Sequence, residues 1–301
     1  MVTKNRLWPT LPAVADWADT YETLHLWTQI VGKIRLGLAP PVNHWWHVTL
    51  VATARGLTTL PMPYDNGTIE FLFDFVEHRL LIDTSAGAQR ALSLRPQTVA
   101  AFYQEVMAAV RDLNVNVHVW PVPVEMPGMT TRFDGDLVHK SYDREAVERW
   151  WQALVQIDEV FKEFRGRFLG KCSPVHFFWG GFDHAVTRFS GRRAPERPGA
   201  DRMQQEGYSH EVISAGFWPG GGPVAEPAFY AYAAPEPSGF KTARVGPAQA
   251  FYSSDLGEFL LKYEDVRVAD SPRDALLEFL QTTYEAGATL AGWDRRELER
   301  A

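Results

Sequence analysis

Residues 17–55 and 150–188 align with each other at a fixed offset of 133 residues and without a gap. Eight of the 39 aligned positions are identical: Trp17 with Trp150, Leu36 with Leu169, Gly37 with Gly170, Pro41 with Pro174, Val42 with Val175, Trp46 with Trp179, Ala52 with Ala185 and Arg55 with Arg188. Self-similarity on this scale restricts the chain to two halves built alike and packed together. It also directs attention to positions where the halves differ, because a shared packing role explains the positions where they agree.

The hydrophobic pattern gives each half the same plan. Trp17, Tyr21, Leu24, Trp27, Ile30, Val31, Ile34 and Leu38 recur at helical spacing, with Asp16 placed to cap the first turn. Pro40 and Pro41 end this helix, since proline lacks the amide hydrogen and restrains its predecessor. Strands are expected over 44–54, 68–76, 79–84 and 91–94, with a turn at Asp65-Asn66-Gly67. A helix follows from Pro96 to about Leu113, and a closing strand over 115–120. In the second half a helix covers 144–167, strands fall within 175–189, 208–218, 228–234 and 250–252, and Ser271-Pro272 opens a last helix. The fold class is therefore α+β, an internally duplicated helix–antiparallel strands–helix unit. The expected organisation is a first half over 1–125, a linker over 126–136, and a second half over 137–301 with inserted loops at 191–207 and 219–227. The latter includes Gly220-Gly221-Gly222.

Composition narrows the function classes. A net charge of −7 disfavours nucleic acid, whose phosphates demand clustered Lys and Arg. No apolar run approaches the roughly 20 residues of a membrane helix, and the first residues carry no apolar leader, so a soluble cytoplasmic protein is expected. One cysteine, Cys172, rules out an intrachain disulfide. No G-x-G-x-x-G, phosphate loop, G-x-S-x-G or H-E-x-x-H occurs, so dinucleotide, nucleotide, serine-hydrolase and zincin readings lack their signatures.

The candidate chemistry sits in the matched strands. If 41–47 is a strand, Asn43, Trp45 and His47 share one face, and His176 and Phe178 take the places of Asn43 and Trp45 in the second half. His176 thus puts an ionisable ring on an aromatic face, where it can serve as acid, base or ligand, or simply hydrogen-bond within the core. Parity puts Arg188 on the same face if Gly180-Gly181 introduces no irregularity, and its guanidinium could anchor a carboxylate or phosphate or pair structurally. Tyr208 and His210 share a face of a later strand, and Ser209 and Glu211 the other, just before the glycine-rich turn that follows Trp218. A divalent metal on His176, His210 and Glu211 is a further reading, although His210 and Glu211 point oppositely on a regular strand. Asp183-His184 reads as a solvent-facing pair, and Cys172 beside Lys171 as an inert thiol.

The segments LHLWTQIVGK (24–33), APPVNHWWH (39–47), PVHFFWG (174–180), SHEV (209–212) and GFWPGGG (216–222) resemble a bacterial domain-of-unknown-function family over nearly the whole chain. The resemblance implies no activity. Within its pattern Gly181 and His184 stand where Ser and Leu are usual, which leaves His176, Arg188, His210 and Glu211 as candidates.

The resulting expectation is an enzyme acting on a small polar or anionic molecule, in a pocket between the halves walled by Trp45, Phe178 and Trp218. His176 would be acid or base, Glu211 or His210 its partner, and Arg188 the anchor. The alternative is a non-catalytic binding or sensor protein with an aromatic cage.

Overall fold

The computed structural model describes residues 7–65, 67–221 and 224–300. Asn66 of the expected turn, Gly222 of the glycine run and the first six residues lie outside them.

Helix α1 (Val14–Leu38) is buried on all sides from Thr23 to Arg35, so it runs through the interior rather than along the surface. Its N-cap is Ala13, and Asp16 falls inside the first turn instead of capping it. The first sheet follows, with β1 (Val51–Thr53), β2 (Gly56–Thr58), β3 (Met62–Tyr64), β4 (Gly67–Asp74), β5 (Arg79–Thr84) and β6 (Gln89–Ser93). It is antiparallel in the order β1-β2-β4-β5-β6, with β3 also on β4. Helix α2 (Val99–Asp112) starts where Thr98 Oγ1 accepts the Ala101 amide at 3.1 Å. Trp27 of α1 stacks on Phe102 of α2 with ring centroids 4.5 Å apart, which locks the two helices together. The expected strand over 115–120 is irregular chain.

A further helix and a second sheet follow. Helix α3 (Arg144–Gly166), capped by Asp143, leads into β7 (His176–Phe178), β8 (Asp183–Arg193), the short α4 (Arg202–Gly207), β9 (His210–Trp218), β10 (Ala228–Ala234), β11 (Phe251–Ser253) and β12 (Glu258–Lys262). Helices α5 (Tyr263–Arg267), α6 (Pro272–Leu290) and α7 (Arg295–Leu298) close the chain. This sheet is antiparallel in the order β11-β12-β10-β9-β8-β7. Leu50 and Phe177 exchange two backbone hydrogen bonds, of 2.9 and 2.7 Å, and so tie the β7 edge to the residue before β1. Among the described residues the protein is thus mixed α+β, with seven α-helices and two antiparallel sheets. None of these helices is long and apolar enough to cross a membrane.

Two local expectations change. The segment 44–54 is not one strand. Asn43–Trp45 form a 3-10 turn, with His44 and Trp45 in the left-handed region at φ of 57° and 62°, and the strand is confined to Val51–Thr53, preceded by the Leu50 bridge. Side chains hold the turn: His47 Nδ1 accepts the Val42 amide at 3.1 Å, and His44 Nδ1 reaches the carbonyls of Glu206 and Gly207 at 3.0 and 3.1 Å. Asn43, Trp45 and His47 therefore do not share a strand face, and the helical self-similarity gives way to unlike backbone, a turn at 43–45 against a strand at 176–178.

The second change is in parity. Residues 179–182 form the turn of a β7–β8 hairpin in which His176 faces Ala185. Cross-strand partners share a face, so His176 and Phe178 lie with Asp183, Ala185, Thr187 and Phe189, and Arg188 points to the opposite side with Phe177 and His184. That opposite side is covered by α3 and α6: His184 stacks on Phe161 at 5.9 Å, and the Arg188 guanidinium lies 3.5 Å from the Phe164 ring centre and 4.2 Å from that of Tyr284.

Candidate functional site

The face of the second sheet turned away from α3 and α6 is the unusual surface of this molecule. Register carries the row across the strands, from Ala185 to Gly216 to Tyr230 and from Thr187 to Ser214 to Tyr232. Small side chains at Ala185, Ser214 and Gly216 leave room beside the large ones. A Cβ on Gly216 would fall 2.3 Å from the Tyr230 ring, so the absence of a side chain there is what lets Tyr230 lie across the strand. Above this face is a cavity of about 700 Å³. Its floor is Phe178, Asp183, Ala185, Thr187, Phe189, Ser214, Tyr230 and Tyr232; its roof comes from Lys33 and Leu36 of α1, the turn bearing His44 and Trp46, Glu125, and α4 with Tyr208.

Asp183 opens β8 on this floor. Tyr230 donates its phenolic hydrogen to Asp183 Oδ2 at 2.5 Å. Burial pushes the Asp183 carboxyl up to about 7, and the Glu125 carboxylate adds to the rise against the opposing Tyr230 hydrogen bond. Among the described residues no Lys, Arg or His forms an ion pair with Asp183 or Glu125. Glu125 is held by a clamp: Gln29 of α1 accepts the Val124 amide at 2.9 Å and donates to the Val124 carbonyl at 2.7 Å. Glu125 itself adopts φ of 57°, a left-handed conformation uncommon outside glycine. The clamp sets its carboxylate over the β7–β8 turn. The position a Cβ would take on Gly181 lies 2.8 Å from Asp183 Oδ1 and 3.7 Å from Glu125 Oε2, so the two carboxylates converge on the gap these glycines leave. Glu258 of β12 also feels Asp183, and burial with that neighbour raises its carboxyl to about 7.

Helix α1 contributes a polar stripe at i, i+4 and i+8. His25 Nε2 lies 2.8 Å from the Gly180 carbonyl and 3.1 Å from that of Trp179, which fixes the hydrogen on Nε2. Gln29 holds the Glu125 loop. Lys33, next on the stripe, lines the cavity, is 6% exposed, and makes no hydrogen bond or ion pair among the described residues. Burial lowers its pKa. On another wall Lys171 Nζ donates to His44 Nε2 at 2.6 Å while sitting 5.5 Å from the Trp46 ring centre and 5.2 Å from that of Phe189. His44 Nδ1 then carries the hydrogen it gives to α4. Its pKa is lowered by burial first and by Lys171 second.

Of the residues singled out from the sequence, Phe178 lines the cavity. His176 shares its strand face but is 1% exposed, with Nδ1 3.1 Å from the Thr49 hydroxyl and Nε2 without a partner; burial lowers its pKa to about 3, so the ring is neutral. Arg188 is 1% exposed among aromatic rings and donates to the Phe164 carbonyl. Glu211 is bound to Arg192 at 2.7 Å, and His210 Nδ1 lies 3.0 Å from the Ser209 hydroxyl. Trp45 packs on His47 with centroids 5.5 Å apart, and Trp218, at the end of β9, is 6.5 Å from Tyr230. The structure does not bring His176, His210 and Glu211 together, and no group of three or more His, Cys, Asp or Glu side chains among the described residues is arranged to hold a metal ion. The pair read as solvent-facing divides: His184 is fully buried against Asp158 at 3.0 Å, and the half-buried Asp183 lines the cavity with Glu125 and Asp201. The only sequence signal of Lys33 and Asp183 is position. His25, Gln29 and Lys33 fall at i, i+4 and i+8 along the buried stretch of α1, and Asp183 stands two residues after the Gly180-Gly181 pair.

These features describe an α+β protein whose second sheet keeps one polar and aromatic face clear beneath a cover of helix, turn and loop. The chain belongs to the DUF5996 family, a family of unknown function, whose profile it matches over residues 8–300. No curated protein and no solved structure matches it.

Proposed function

We propose that this protein is an enzyme acting on a small polar molecule held in the cavity over the second sheet, with Asp183 as general acid–base. One observation carries this reading: a carboxyl on the cavity floor, poised near neutrality, hydrogen-bonded by Tyr230 and lacking a cationic partner among the described residues. A buried carboxyl without a countercharge weakens the fold, and such groups concentrate where chemistry needs them. A carboxyl with a pKa of about 7 exchanges a proton readily at physiological pH. Tyr230 stays protonated, since burial holds its pKa well above the ordinary phenol value. It therefore orients Asp183 Oδ2 and leaves Oδ1 for the substrate. The aromatic walls supply shape and apolar contact. The self-similarity and the repeated order of helix, sheet and helix support an origin by duplication, with the site specialised in the second copy. A free Cys172 suits a reducing, cytoplasmic setting.

The test is a thermal-shift screen of small polar metabolites, followed by mass spectrometry of any binder for product. We expect turnover in the wild type with an apparent pKa near that of Asp183, and its loss by at least about 100-fold in Asp183→Asn. Undiminished turnover in Asp183→Asn overturns the assignment. The second reading, a non-catalytic binding protein, draws on the seven aromatic side chains at Trp46, Phe178, Trp179, Phe189, Tyr208, Tyr230 and Tyr232. It predicts binding with no product.

A further inference from the structure

We propose that the cavity takes a small zwitterion, with its ammonium group at Asp183 and Glu125 and its acid group at Lys33. This rests on the reading of the cavity as a ligand site and adds the ligand's chemistry.

Each pole lacks a countercharge of its own. Lys33 is buried and unpartnered among the described residues, and its side chain reaches the cavity. Asp183 and Glu125 converge near Gly181 with no Lys, Arg or His within ion-pair distance among the described residues. The poles do not neutralise each other: no ion pair joins Lys33 to either carboxylate. The backbone keeps them apart. His25 marks the carboxylate end, because it hydrogen-bonds to Gly180, and Lys33 lies eight residues further along α1, a rise of roughly 12 Å. Between them the lining is apolar and aromatic, with Trp46, Phe178, Phe189 and Val212. A ligand with one charge satisfies one pole and leaves the other without a countercharge. A molecule with a cation and an anion separated by an apolar body satisfies both, and its cation gains from the aromatic faces. ω-Amino acids, whose ammonium and carboxylate sit at opposite ends of a methylene chain, are the simplest members of that class.

The probes are 5-aminopentanoate, 6-aminohexanoate and 8-aminooctanoate. Each is compared with its amine-only and acid-only counterparts, butylamine and pentanoate, pentylamine and hexanoate, heptylamine and octanoate. Binding is read by thermal shift and titration calorimetry. We expect at least one zwitterion to raise the melting temperature and to bind about tenfold or more tightly than either counterpart. In Lys33→Met the zwitterion should fall to the affinity of the amine, and Lys33→Arg should restore the difference. In Asp183→Asn it should fall to the affinity of the acid. Lys33→Met removes an unpaired buried charge, so its ligand-free melting temperature should stay at or above that of the wild type. If no zwitterion binds, or the one-charge counterparts bind equally well, the zwitterion proposal is overturned. Binding of acid-only compounds that Asp183→Asn abolishes would overturn it too, yet leave the cavity standing as a ligand site. Binding insensitive to both substitutions would remove the site as well.

Discussion

Tyr230 of β10 reaches across Gly216 of β9 to donate a 2.5 Å hydrogen bond to Asp183 of β8, so three adjacent strands combine to fix one carboxyl on the cavity floor. The bond exists because Gly216 has no side chain where the Tyr230 ring lies. Gly216→Ala should displace Tyr230, lower stability by about 1–3 kcal/mol and weaken ligand binding. Urea unfolding and calorimetry check both; an unchanged variant would show that the tyrosine has room the structure does not give it.

Asp183 makes stability depend on pH in a defined direction. Its folded pKa of about 7 exceeds the ordinary 3.8, so the folded state binds more protons than the unfolded state between those values. Its unfavourable contribution is absent below that window and complete above it. Asp183→Asn removes it. The variant should therefore gain stability relative to wild type as pH rises from about 4 to 7, by a few kcal/mol on the order of the shift. Melting temperatures of both proteins at pH values across that range measure the difference. Glu258, raised in the same way, keeps a smaller dependence of the same sign in the variant.

His176 acts in the opposite sense. Its folded pKa of about 3 lies below the ordinary 6.5, so the stability it contributes is present at neutral pH and is lost as pH falls through that interval. His176→Phe should flatten the acid side of the stability profile. It leaves the Thr49 hydroxyl without its ring partner, at a cost of about 1 kcal/mol at neutral pH. Ligand binding should survive. Loss of binding with unchanged stability would return His176 to the site.

Arg188 should behave as a packing residue. Arg188→Ala empties the space among Phe164, Phe168 and Tyr284 and should destabilise by about 3–5 kcal/mol. Arg188→Met fills the space without an unpaired charge and should recover most of that loss. Denaturant midpoints decide, and neither variant should alter ligand affinity.

Gly32→Ala sets two effects against each other. Alanine favours the helix by about 1 kcal/mol, but its Cβ would lie 2.4 Å from the Trp179 ring, where α1 crosses the β7 end. Overpacking of a rigid indole costs about 1–3 kcal/mol, and Trp179 is further pinned by its bond to the Val48 carbonyl at 2.6 Å. The variant should be less stable despite the better helix former, as a melting curve would show.

Much of this architecture can be read in the chain itself. The period of the apolar residues marks α1, α2, α3 and α6, and the turn chemistry marks the strands from β4 to β10, because helices and strands are set by local spacing and by where proline and glycine fall. The short β12 and the turn at 43–45 escape that reading. The turn is made by bonds from His44 to α4, some 160 residues away in sequence, and no local pattern encodes such a contact. The same reason explains the site. The sequence alone sets the apolar period of the elements that carry Lys33 and Asp183, but local pattern reads Asp183 as solvent-facing and does not single out Lys33. Which of them would meet was decided only by the tertiary structure, because the hairpin at 179–182 sets the face of each residue of β8 as far as Phe189. A four-residue turn put Asp183 on the cavity side and sent Arg188 into the packing beneath α3, and the charge of each residue then acquired its consequence from what surrounds it.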